Sequence, residues 1–241
     1  MARSPEVDGW AGRLLRVVLP LRCLLCGNRG GARDLCADCE RDLAPNAPCC
    51  PRCALPLEAP APLCGECIDR EPPFAAAWAP FRYEHPLDLL EARFKFQGDL
   101  AAGRVLASLM IARVKADRPL RPDAIVPVPL HVSRLRERGY NQALELAKPV
   151  ARAFGIPLAA DLLRRARATV AQTGLDAAAR RRNLRDAFAV SEKHPMPAHV
   201  ALLDDVMTTG TTVRECARVL RRAGAQRVEV WALARAPARR R

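Results

Sequence analysis

Three short apolar runs punctuate the second half of the chain: Ala124 to Val128, Val200 to Leu203 and Val228 to Leu233. Their length and their content of Val, Leu and Ile predict strands buried within a sheet. Between them, Ala101 to Val114, Ala143 to Phe154 and Val213 to Arg222 repeat their apolar positions at helical spacing. Strands alternating with helices predict an α/β domain, a parallel sheet flanked by helices. Near the start, Trp10, Leu14, Leu15, Val18 and Leu19 also recur at helical spacing, which predicts an amphipathic helix within residues 1–22. Pro56, Pro60, Pro62, Pro72 and Pro73 thicken the intervening stretch and mark a stiff boundary near residues 68–75. The expected organisation is therefore a helix at 1–22, a cysteine-rich module at 23–70 and the α/β domain at 75–236. Arg16, Pro20 and Arg22 interrupt the Leu-rich run from Leu14 to Leu25, and no small-residue cleavage site follows it. With no apolar run of about 18 residues, the chain is expected to be cytoplasmic.

Charge sharpens this division. The formal net charge is +13, but residues 1–71 carry 9 basic against 10 acidic side chains, and residues 72–241 carry 30 against 16. The larger part therefore expects an anionic partner, either nucleic acid or a phosphorylated ligand. Only four of the 39 basic residues are lysines, and many of the arginines are expected to be solvated surface.

Nine of the ten cysteines lie between Cys23 and Cys67. Cys23-x2-Cys26 is followed by Cys36-x2-Cys39, and Cys50-x2-Cys53 by Cys64-x2-Cys67. A pair two residues apart at a tight turn directs both sulfurs at one ion, and two pairs complete the tetrahedral shell preferred by Zn²⁺. Gly27 and Gly65 each follow a cysteine, where a knuckle needs a permissive backbone. The spacing reads as two successive structural zinc ribbons, while a single ion or interleaved ligands would use the same residues. Disulfides do not suit a reducing compartment, and an iron–sulfur cluster would take the same ligands. Cys49 is surplus and can substitute for Cys50, whereas Cys216 reads as a small buried apolar residue. So few residues bury little core, so this module should fold on metal and serve in docking.

The other strong signal runs from Ala201 to Thr212: an apolar strand, then Asp204 and Asp205, then Val206-Met207-Thr208-Thr209-Gly210-Thr211-Thr212, opening a helix. Ligands of open α/β sheets bind at the carboxyl ends of strands. Backbone N–H groups, threonine hydroxyls and a helix N-terminus suit a phosphate, and Gly210 lets the backbone approach it. Two acids beside such a loop call for ribose hydroxyls or Mg²⁺. No Gly-Lys-Ser/Thr triplet is present, which excludes a nucleoside-triphosphate P-loop.

This segment resembles the phosphoribosyl-pyrophosphate motif of type I phosphoribosyltransferases. Phe94-Lys95-Phe96-Gln97-Gly98-Asp99, Pro127-Val128-Pro129-Leu130 with Arg134, Arg138-Gly139-Tyr140-Asn141-Gln142, Gln172-Thr173-Gly174-Leu175, Arg182-Asn183 and Ala187-Phe188 resemble the ComF family, as does the paired cysteine head. The resemblance extends from about Cys23 to Leu233 and implies a role in competence and incoming single-stranded DNA. It assigns Asp204 and Asp205 to ribose hydroxyls, Met207 to Thr212 to the 5-phosphate, Val128, Pro129, Leu130 and Arg134 to the pyrophosphate loop, and residues 167–182 to a hood. The implied reaction is displacement at the anomeric carbon of phosphoribosyl pyrophosphate with Mg²⁺, with Arg134, Arg138 and Lys95 on the anion side. Tyr140, Asn141 and Gln142 either pack the loop or touch ligand, and His131 is a further candidate contact.

Two functions fit these residues. One is a phosphoribosyltransferase of unknown acceptor, and the other is a non-catalytic module binding nucleotides or single-stranded DNA. An acid pair suited to a diol favours ribose, and the lack of an aromatic series counts against strand binding in this cleft. DNA-uptake proteins are expected partners through the zinc module.

Overall fold

A computed structural model describes residues 21–117, 119–130, 132–165, 187–193 and 195–238. The helix expected within 1–22 and the hood at 167–182 lie outside the described residues, apart from Leu21 and Arg22, as does His131. Among the described residues no helix is long and apolar enough to cross a membrane.

The larger part is a parallel sheet flanked by helices. Its strands are β1 (Ala76–Trp78), β2 (Phe81–Arg82), β3 (Ala124–Pro127), β6 (His199–Met207) and β7 (Arg227–Arg235). They lie in the order β1-β7-β6-β3, with β2 continuing along β7 beyond β1, and every pairing is parallel. A two-stranded antiparallel ribbon, β4 (Leu163–Arg165) with β5 (Phe188–Val190), stands apart. The central strand β6 buries Val200 to Leu203 completely, as its unbroken apolar run requires.

The helices are α1 (Ala37–Arg41), α2 (Gly65–Asp69), α3 (Leu87–Phe96), α4 (Leu100–Asp117), α5 (Val132–Arg138), α6 (Gln142–Phe154) and α7 (Thr211–Arg222). Asn141 caps α6, its side chain accepting from the Ala143 N–H, and Gly155 ends the helix in the left-handed region at φ +60°. α6 buries Ala143, Leu146, Ala147, Val150 and Ala151 against β3, β6 and α4. α4 runs close beneath α3, because a Cβ on Gly103 would come within 2.6 Å of the Phe94 ring. α7 turns Val213, Cys216, Ala217 and Leu220 inward toward β5, β6 and β7, and Cys216 is fully buried among them, as an apolar residue would be.

The cysteine-rich segment is docked on this sheet. The Asn46 N–H donates to Pro80 O at 2.9 Å, the Arg82 N–H to Ala44 O at 3.0 Å and the Ala77 N–H to Arg52 O at 3.0 Å. Asn46, 6% exposed, also donates from Nδ2 to Ala54 O and Ala79 O. Buried cysteines and the apolar residues of the sheet form one continuous core. Within the stretch expected to be a stiff boundary, Phe74 is buried and the Ala75 N–H donates to Val228 O, so the chain there is already tied to the sheet.

Candidate functional site

Two metal centres are built by one repeated device. Cys23, Cys26, Cys36 and Cys39 form one group and Cys50, Cys53, Cys64 and Cys67 the other, with sulfurs in each group within 4.8 Å of one another. In each group a Cys-x-x-Cys turn faces a cysteine that opens a short helix: Cys36 at α1 and Cys64 at α2. The Cys39 N–H reaches Cys36 Sγ, and the Cys64 N–H reaches Cys50 Sγ, both at 3.4 Å. Burial raises the Cys23 and Cys50 thiols, but backbone N–H donors more than offset it and bring them down to about 6 and about 7. Four convergent soft donors in a closed shell, one of them in each group favoured as a thiolate by backbone N–H groups while burial and the neighbouring sulfurs push Cys39 and Cys53 up, fit structural Zn²⁺. The second group is wholly buried, whereas Cys26 of the first is exposed.

Cys49 stays outside both groups, so Cys50 is the ligand. The glycine expectation is half right. Gly27 has φ +76° just after the first turn, but Gly65 begins a helix, and Ala54 takes the corresponding left-handed position at φ 54°.

The second site lies where β3 and β6 end side by side. Pro127 pairs with Leu203, and the Val128 N–H donates to Leu203 O at 2.8 Å. The Val128–Leu130 loop thus leaves the sheet beside Asp204 and Asp205 and the loop Met207–Thr212. Asn141 Nδ2 holds Val128 O at 3.0 Å while its Oδ1 caps α6, so Asn141 packs the loop. Tyr140 packs on Phe94, with ring centroids 5.2 Å apart, and donates its hydroxyl to Phe94 O.

Thr208 and Thr209 are exposed, and Gly210 takes φ +70° to turn the chain into α7. Gly210 has no side chain to cap the helix; the Thr211 N–H donates instead to Thr209 Oγ1 at 3.4 Å, which leaves the next N–H groups of the first turn for another acceptor. The Thr209 and Thr211 hydroxyls lie 2.9 Å apart.

The acids do not lie free at the strand mouth. β6 pairs with β7 as far as Met207, so Asp204 and Asp205 are successive strand residues whose side chains set out to opposite faces, although Asp204 Oδ1 turns back to accept from the Asp205 N–H at 3.0 Å. Asp205, 8% exposed, meets Lys95 Nζ at 3.0 Å, and Lys95 also meets Glu91 at 3.1 Å. Glu91 is 0% exposed; burial pushes its carboxyl up to about 7 despite the Lys95 ammonium. The two carboxylates hold Lys95 above its ordinary value, overcoming its burial. Lys95 is therefore committed to these acids and is not the anion-side cation its position in the sequence suggested. Asp204 lies on the α7 side, where its charge acts on Cys216; burial and then the Asp205 charge push its carboxyl well up.

Arg134 and Arg138 sit half-buried on α5. Arg138 lies 5.3 Å from the Phe96 ring and donates to Gln142 Oε1 at 3.2 Å. Burial, then the neighbouring Arg134, lowers Arg165 on β4, whose guanidinium lies 5.5 Å from the Phe188 ring. Glu91 was missed in the sequence, although its i,i+4 spacing to Lys95 was a signal. For Mg²⁺ the donor chemistry fits only in part: Asp204 is a hard oxygen donor, but among the described residues only the two cysteine groups gather three or more ligands. A magnesium ion here would take most of its ligands from phosphate oxygens and water.

Fold and sites together define a double zinc ribbon joined to a phosphoribosyltransferase-type domain. The double zinc ribbon domain family matches residues 14–68, and the phosphoribosyl transferase domain family matches residues 141–241. The chain belongs to the ComF family of competence proteins. Competence protein F of Haemophilus influenzae is 39% identical over 223 residues, which is 89% of this chain and 97% of that protein. DNA utilization protein YhgH of Salmonella typhi is 38% identical, over 83% of this chain and 90% of its own length. Competence protein ComFC of Streptococcus pneumoniae is 27% identical, over 89% of this chain and 100% of its own length.

Proposed function

We propose that this protein binds phosphoribosyl pyrophosphate with Mg²⁺ at the ends of β3 and β6 and transfers its phosphoribosyl group, in the service of DNA uptake or nucleotide handling. The carrying observation is the juxtaposition of two loops at adjoining strand ends, Val128–Leu130 and Met207–Thr212, with Asp204 beside them and the N-terminus of α7 behind. The 5-phosphate sits on the N–H groups and hydroxyls of Thr208 to Thr212, where the helix dipole favours an anion. Asp204 accepts from a ribose hydroxyl, and Asp205, fixed by Lys95, holds the strand end from its other face. The 128–130 loop receives pyrophosphate, and Arg134, on the helix that follows this loop, offsets its charge. Mg²⁺, when bound, neutralises pyrophosphate and improves it as a leaving group. The chain supplies positioning and charge stabilisation for a displacement at the anomeric carbon and needs no covalent nucleophile. The names of the relatives support placing this activity in competence and DNA utilization.

Calorimetric titration with phosphoribosyl pyrophosphate, with and without Mg²⁺, tests the binding half. A pyrophosphate-release assay over a panel of nucleobase and amine acceptors tests transfer. Micromolar Mg²⁺-dependent binding is expected. Absence of binding to fully zinc-loaded protein would sink the proposal.

A further inference from the structure

The second zinc group is connected to the Met207–Thr212 loop through Arg235. This residue ends β7 with only 3% of its surface exposed. Its Nε donates to Cys53 O at 3.2 Å, within the Cys50-x-x-Cys53 turn. Its Nη1 donates to Met207 O and Ala236 O, each at 3.0 Å, and to Thr208 O. A second link runs in parallel. Arg214 in the first turn of α7 lies 6.0 Å from the Phe74 ring and 3.9 Å from Glu66, between two of the cysteine ligands. The contacts of the first group run elsewhere: Arg93 donates to Leu24 O and Arg33 to Ser108, on α3 and α4.

We infer that Arg235 is a positioning residue through which the Cys50/Cys53/Cys64/Cys67 centre sets the conformation of the Met207–Thr212 loop. A trans peptide carries its C=O and the following N–H on opposite sides. Holding the carbonyls of Met207 and Thr208 from the ribbon side therefore turns the N–H groups of Thr208 and Thr209 away from it, toward the open end of the sheet. An ion on the four sulfurs would close the Cys50-x-x-Cys53 turn and so fix Cys53 O where Arg235 Nε meets it. Without the ion nothing closes the Cys50-x-x-Cys53 turn, and Arg235 loses the fixed Cys53 carbonyl that anchors it on the ribbon side. The loop then loses its fixed carbonyls. The coupling rests on the phosphoribosyl reading only for its consequence, a cradle ordered by zinc, and it is testable without that ligand.

The experiment is amide hydrogen exchange on the full zinc-loaded chain, paired with zinc release to a chromogenic chelator. In Arg235→Gln, the amides of Thr208 to Thr212 should exchange about tenfold faster or more, a typical size for coupling between sites. Those of Val200 to Leu203 should be unchanged. One of the two zinc ions should leave faster by a similar factor and the other at its wild-type rate. Arg235→Lys keeps the charge but cannot span both sets of carbonyls, and should fall between. A merely structural role would instead loosen β6 and β7 throughout and release both ions. If Arg235→Gln does not fold, Cys67→Ser should accelerate loop exchange whereas Cys26→Ser should not, and equal effects of the two overturn the inference. So does unchanged exchange at Thr208 to Thr212 in Arg235→Gln. Failure of phosphoribosyl pyrophosphate to bind a protein that passes these tests would count against the ligand and leave the coupling standing.

Discussion

Replacing Lys95 with methionine leaves Glu91 and Asp205 facing the space the ammonium had filled. At 3.0 and 3.1 Å, and with an effective dielectric of about 20, each contact carries roughly 5 kcal/mol of attraction. Most of this is offset by the cost of taking three charges out of water. Breaking one partner out of such a group still costs about 3–5 kcal/mol, because the remaining charges stay buried. At pH 8 a loss of about 3 kcal/mol is expected, or a melting point lower by roughly 6–12 °C at about 2–4 °C per kcal/mol for a chain of this size. At pH 6 the loss should shrink. Glu91, already pushed up to about 7 with Lys95 present, then holds a proton and removes one of the two unpaired charges. Adding Glu91→Gln to Lys95→Met should likewise recover part of the loss at pH 8. Urea unfolding at both pH values, with zinc saturating, is the assay. A deficit below about 1 kcal/mol at pH 8, or one that does not change between pH 8 and pH 6, would show that the buried triad does not contribute in this way.

Metal analysis should find two zinc ions per chain, and Cys26→Ser, at the exposed position of the first group, should lose one of them. Asp204→Asn should lower affinity for phosphoribosyl pyrophosphate by about threefold to tenfold, from one lost hydrogen bond of about 1 kcal/mol, with little change in melting. Asp205→Asn should lower melting as well, since it strips a partner from Lys95; equal thermal behaviour of the two variants would contradict the assignment of the acids to opposite faces. Glu91 binds its proton more tightly in the folded chain, so its contribution to stability should fall as pH rises from its ordinary range toward about 7, at roughly 1 kcal/mol per pH unit. Glu91→Gln should flatten that slope. Single-stranded DNA, if held through charge, should bind with a log–log salt slope of about −0.7 per phosphate contacted, and a salt-independent affinity would refute the electrostatic reading.

The segment from Val200 to Arg222 was legible because every level agrees there. An apolar run long enough for a buried strand ends in acids, a glycine turn and an amphipathic stripe. The two metal centres were legible for a similar reason, since liganding is local and its spacing survives any tertiary arrangement. The strands β1 and β2 were not, because two or three residues flanked by proline carry no period. Asp204 and Asp205 read as a matched pair at a strand mouth. Their separation onto opposite faces follows from β6 pairing with β7 past both residues, which only the partner strand decides. Lys95 read as a cation for anions because Asp205, 110 positions along the chain, is invisible from its own neighbourhood. Arg235 lies in an arginine-rich tail whose composition looks like solvated surface, and only the docked ribbon reveals it as interior. The left-handed turn at Ala54 carries no glycine to announce it.

The backbone bonds from Ala44, Asn46 and Arg52 to Arg82, Pro80 and Ala77 have a consequence beyond holding two modules together. β1 and β2 form one rim of the sheet, and their outward N–H and C=O groups would otherwise template association with another chain. The cysteine-rich segment leaves the ribosome before either strand, so a metal-loaded ribbon is ready to shield that rim as soon as it forms. Zinc-starved cells should therefore accumulate this protein as aggregate instead of as a soluble chain with a loose head.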